Sequence, residues 1–94
     1  MNIPTTLDPE MMPLARHALG LPNKSKTSYR NYFVTGPGGS DHRVWIRMVD
    51  AGLAGRRKGS ELTGGDDLFW LTKRGATAAL SDGEKLDPED FPDA

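Results

Sequence analysis

The chain has 94 residues, a length that holds one small domain with one modest core. Apolar residues make up 36%, with 11 Gly and 7 Pro, so a good part should be turn or tail; the lack of Cys excludes disulfides, thiolate zinc sites and cysteine nucleophiles together. Net charge is −1, but it is segregated: residues 16–58 carry nine Lys/Arg against only Asp41 and Asp50, whereas residues 81–94 carry six acids against Lys85.

Residues 1–7 show no periodicity and are expected to be a flexible N-terminus. Asp8-Pro9-Glu10 is a helix start, with a capping Asp, a Pro suited to the first helical position, and a Glu at the positive end of the dipole. Pro13 shifts that start toward Met12, because its ring opposes the backbone one turn back. Met11, Leu14, Ala15, Ala18 and Leu19 follow helical spacing with Arg16 and His17 opposite, and Gly20 and Pro22 stop the helix. After a polar loop, residues 29–35 have the composition of a strand, with Tyr29, Asn31, Phe33 and Thr35 on one face and Arg30, Tyr32 and Val34 on the other.

Gly36-Pro37-Gly38-Gly39 then leads into a second helix. A strand, a glycine loop and a helix start are the parts of a phosphate cradle, but a P-loop needs Lys followed by Ser or Thr, and Asp41 and His42 stand there instead. The stretch therefore reads as a turn capped by Ser40 or Asp41. Val44, Trp45, Met48 and Val49 form the helix's apolar stripe, while Arg43, Arg47 and Asp50 share the opposite face and Gly52 ends it. Residues 54–57 and 68–71 read as two strands of a wing whose long tip is rich in Gly and Asp. Thr72 caps a last short helix through Ala76, Ala78, Ala79 and Leu80. Residues 81–94, dominated by acids and prolines, are expected to be a disordered tail, although Leu86 and Phe91 are apolar anchors that a purely solubilising tail does not need.

The order helix, strand, helix, hairpin, helix is α+β. The stretch MVDAGLAGRR…LFWLTKRGATAAL resembles winged-helix domains through Val49, Gly52, Leu53, Phe69, Leu71, Thr72, Gly75, Ala79 and Leu80. The resemblance implies a small winged-helix-like domain over residues 8–80. That domain is degenerate, because YRNYFVT reads as strand where a helix-turn-helix has its first helix. The broader pattern RHALGLP…YRNYFVTG…DH…VDAGLA…LTGGDDLFWLT, over roughly residues 14–80, is similar to a group of small phage and prophage proteins.

Arg43 and Arg47 on one helical face, Arg56, Arg57 and Lys58 at the wing base, and Arg30 with Lys24 and Lys26 before the helix form the best candidate macromolecule-binding set. Asp66 and Asp67 at the wing tip would repel DNA, and with Trp70 they are candidate contacts for a protein partner. Phe69 and Trp70, adjacent on one strand, must point to opposite faces. His17 and His42 have no metal-ligand spacing and read as solvated surface side chains, and no serine has a nucleophile-elbow context. These features suggest a non-enzymatic protein with no cofactor, no metal, no small-molecule substrate and no membrane span. The phage likeness implies a protein of the bacterial host cytoplasm that binds a host protein or nucleoprotein complex, as an inhibitor of host defence of the anti-CRISPR kind. The alternative is a winged-helix regulator that binds double-stranded DNA through its second helix and wing.

Overall fold

The computed structural model describes residues 6–61 and 64–92. Chain order is α1 (Met11–Leu19), β1 (Phe33–Thr35), α2 (Ser40–Asp50), β2 (Ala54–Arg57), β3 (Asp67–Leu71) and α3 (Lys73–Ala78), the expected succession of elements. Asp8 starts α1, its Oδ1 accepting from the backbone N–H groups of Glu10 at 3.0 Å and Met11 at 2.9 Å. Pro13 is tolerated because its missing N–H falls in the first turn, where no intrahelical acceptor exists.

The end of α1 explains why the following strand is short. A helix leaves its last four carbonyls without partners, and here each finds one. Leu21 N–H reaches Arg16 O, Gly20 N–H reaches His17 O, Tyr32 N–H reaches Ala18 O, and Tyr29 N–H reaches Leu19 O. Tyr29 and Tyr32 thus give their backbone donors to α1, and only Phe33–Thr35 remain for the sheet, not the whole run from Tyr29. Asn31 continues the ladder with its side chain. Its amide donates to Leu71 O at 3.0 Å and accepts from Leu71 N–H at 2.8 Å, at the position the register assigns it.

The sheet is antiparallel, in the order β1-β3-β2. Phe33 faces Phe69, Val34 faces Leu68 and Thr35 faces Asp67, while Ala54, Gly55, Arg56 and Arg57 face Leu71, Trp70, Phe69 and Leu68. Burial alternates strictly along β3, with Asp67, Phe69 and Leu71 inside. Trp45 and Met48 of α2, and Ala15, Ala18 and Leu19 of α1, are buried on that inner face. Trp45 stacks on Phe69 with ring centroids 5.5 Å apart and lies 5.4 Å from Phe33. The helix α2 begins at Ser40 behind an extended Gly39, with no side-chain cap, so the capping expected of Ser40 or Asp41 is not made.

Several residues that carry the sequence resemblance have visible jobs. Gly52, at φ +77°, closes α2 and lets Leu53 N–H reach Met48 O. Thr72 caps α3 through Gly75 N–H, and its hydroxyl donates to Gly52 O at 3.0 Å. Gly75 lies directly on the Leu53 carbonyl, where a Cβ would collide with backbone.

Two boundaries differ from the expectation. Leu7 belongs to the core, so the ordered chain extends N-terminal to Asp8; residues 1–5 lie outside the described residues. Residues 81–92 are not a disordered tail. Lys85 pairs in a parallel bridge with Thr27, Asp87 N–H donates to the Ser28 hydroxyl, and Leu86 and Phe91 join the core. Glu84 clasps the Arg16 guanidinium with both oxygens, at 2.6 and 2.8 Å. Acid-rich composition suggested disorder, but two apolar anchors and one bidentate ion pair outweigh it.

Candidate functional site

Asp67 is the most heavily engaged polar side chain on the inner face. Expected at the wing tip, it is the first residue of β3 and only 2% exposed. Its Oδ2 accepts from His42 Nε2 at 2.8 Å and from the Arg56 guanidinium at 2.6 and 2.8 Å, while Oδ1 accepts from Gly59 N–H at 2.8 Å. The His42 bond holds the carboxyl at about 2, helped by the Gly59 amide and Arg56. This cluster ties α2 to both β2 and β3. Asp67 is therefore closed to an outside partner, and His42 is not a solvated histidine: its ring stands edge-on to Phe69 and its Nε2 lies 2.8 Å from Asp67 Oδ2.

The basic set divides in two. Arg47 pairs with Asp8 and Glu10 at 2.9 and 3.3 Å, holding α2 against the start of α1. Arg56 belongs to Asp67, and Arg30 donates to His17 O at 3.2 and 2.7 Å, placing a cation at the negative end of α1. Arg43, Arg57 and Lys58 are exposed and make no ion pair among the described residues. Asp66 lies against Gly36 at the end of the sheet. Leu62 and Thr63 of the wing tip lie outside the described residues.

The outer sheet face is not covered by the helices. By register it carries Val34, Leu68 and Arg57 in one row. Trp70 stands beside Gly55 in the next, with Tyr32 falling opposite Trp70 when the ladder is continued past Phe33. Tyr32 is 52% exposed, Val34 43% and Trp70 37%, with Tyr29 at 60% just beyond. The Trp70 indole lies on Gly55, where any Cβ would run into the ring. Phe69 is fully buried on the other side, so the two neighbours do point to opposite faces. Arg30 sits over Tyr29 and Tyr32, with its guanidinium carbon 5.4 and 5.7 Å from the ring centroids. A shallow depression lined by His17, Arg30, Tyr32, Phe33 and Val34 opens beside β1, and another lined by Asn31, Trp70, Leu71, Lys73 and residues 90–92 opens at the end of β3. The alternation of residues 29–35 and the Phe69-Trp70 pair hinted at this face; its continuity needed the strand order.

Among the described residues no group of three His, Asp or Glu side chains is placed to hold a metal ion, and no helix is long and apolar enough to cross a membrane. Compared with protein-family models, curated proteins and solved structures, the chain matches none. The chain is a small α+β fold of three helices and a three-stranded antiparallel sheet.

Proposed function

We propose that this chain is a non-enzymatic, phage-type accessory protein that binds a host protein or nucleoprotein complex and inhibits host defence in the anti-CRISPR manner. The observation that carries the binding reading is the open sheet face, where Tyr32, Val34 and Trp70 are all substantially exposed. Large apolar side chains gathered on one face mark an interaction surface more often than scattered ones do. The sequence likeness to small prophage proteins supports the biological setting. A pull-down from host lysate, run with and without nuclease, is expected to return a stoichiometric complex that Trp70→Ala weakens; recovery of no partner under either condition would overturn the reading.

A second reading, a winged-helix DNA-binding regulator, is favoured by one observation. Arg43 on α2 and Arg57 and Lys58 at the wing base have no internal ion pair among the described residues, and each phosphate contact adds salt-sensitive affinity. Arg47 and Arg56, engaged by Asp8, Glu10 and Asp67, contribute less to it. Anisotropy with a labelled duplex tests this reading: Arg43→Ala should lower affinity and flatten the salt dependence, and indifference to that change excludes it.

A further inference from the structure

We infer that the open sheet face is a platform for single-stranded nucleic acid, on which Tyr32 and Trp70 stack bases and Arg57 and Arg30 meet the backbone. The inference rests on the reading that this face is the partner-binding surface, and it names the partner's chemistry.

Three observations favour a stacking, anionic ligand over an apolar protein patch. First, Gly55 lets the Trp70 indole lie against β2 while the side chain stays 37% exposed. An exposed aromatic ring suits a base, because every base has a π-face to stack on it. Second, the continued register sets Tyr32 beside Trp70, a pair of adjacent aromatic surfaces, and Arg30, fixed by His17 O, braces the Tyr32 ring. Third, cations flank the aromatic side chains of the face. Arg57 lies in the row of Val34 and Leu68, Arg30 lies beside Tyr32, and no carboxylate occupies a position between them. The acids lie at the margins, with Asp66 against Gly36 at one end and Asp90 beside Trp70 and Pro92 at the other. They disfavour a phosphate backbone at the two ends of β3.

This surface is separate from the Arg43 face of α2. A duplex is too wide and too stacked to present its base faces to it, whereas an unpaired strand presents them freely. The chain is thereby expected to prefer single strands over a duplex of the same sequence.

The test is a fluorescence titration of the full chain with poly(U) and poly(dT) oligonucleotides, beside a matched duplex. Trp45 is fully buried and Trp70 exposed, so quenching by a stacked base reports Trp70. The expected result is saturable quenching by the single strands, with affinity reduced about fivefold to a hundredfold in Trp70→Ala or Tyr32→Ala, the range for losing one stacked base. Arg57→Ala should lower affinity and reduce the salt slope by about one. All three side chains are at least a third exposed or on the surface, and circular dichroism melts verify that the variants fold. Absence of binding at low salt, or binding unaffected by both Trp70→Ala and Tyr32→Ala, overturns the inference. If single strands fail to bind while Trp70→Ala still abolishes capture of a protein partner, the face docks protein: the function stands and the nucleic-acid assignment falls.

Discussion

Asp67 shows how one buried carboxylate can organise a small fold. A charge removed from water is tolerated only when its oxygens are well bonded, and Asp67 receives His42, Arg56 and the Gly59 amide. Glu84 is the second such group, its carboxyl held at about 2 chiefly by Arg16, with the Ser81 amide assisting. The ordinary values for the two are 3.8 and 4.5, so both folded-state values are depressed. Each therefore adds stability that is complete above its ordinary value and is lost as pH falls toward 2. Urea midpoints measured through that window should drop steeply for the native chain, and less steeply for Asp67→Asn and Glu84→Gln, which begin lower. Gly75 yields the opposite of a propensity argument. Alanine normally favours a helix over glycine by about 1 kcal/mol, yet a Cβ here meets the Leu53 carbonyl. Gly75→Ala should destabilise by about 1–3 kcal/mol in urea denaturation, because backbone cannot yield as a flexible side chain would.

The connection from α1 to β1 and the C-terminal segment are the two elements whose form depends on distant partners. Residues 29–32 have strand composition, but the last two carbonyls of α1, on Ala18 and Leu19, take the backbone donors of Tyr32 and Tyr29. Asn31→Ala should fray the end of β3 at Leu71, which amide hydrogen exchange would report as faster exchange at Leu71 N–H. The segment 81–92 is held by Leu86 and Phe91, each under a tenth exposed. Leu86→Ala or Phe91→Ala should cost about 2–4 kcal/mol and open the segment to limited proteolysis. A chain ending at Leu80 would lose core residues as well as negative charge, so its behaviour toward nucleic acid would not isolate the acids. Arg47→Ala, by contrast, removes exposed ion pairs with Asp8 and Glu10 and should change stability by less than about 1 kcal/mol.

Taken whole, the molecule puts its helices on one face of a three-stranded sheet and leaves the other face bare. That asymmetry spends Trp45, Phe69 and Met48 on the core and leaves Trp70, Tyr32 and Val34 outside. It also divides the cations. Those facing inward or toward α1 are matched by Asp67, Asp8, Glu10, Glu84 or a helix carbonyl, and Arg43, Arg57 and Lys58 face solvent. Arg43→Ala and Arg57→Ala should accordingly leave thermal unfolding unchanged while altering binding, each on its own face, a separation read by pairing melting curves with the duplex and single-strand titrations.

Local patterning was enough to place the elements: the i, i+3, i+4 spacing in α1 and α2, the Gly20 and Gly52 stops, the Thr72 cap and the alternation at Phe69-Trp70 all act within a few residues. It also sorted residues 29–35 and the Phe69-Trp70 pair onto two opposite faces, leaving open which face is inward. What it left open were the pairings across the chain. His42 and Asp67 are 25 residues apart, Arg16 and Glu84 are 68 apart, and neither pair has a spacing that marks it. Composition alone made Asp67 a tip residue and residues 81–92 a tail. Folding made both interior, because a buried carboxylate with matched donors and an apolar side chain with a place in the core are stable only where the tertiary structure supplies those partners.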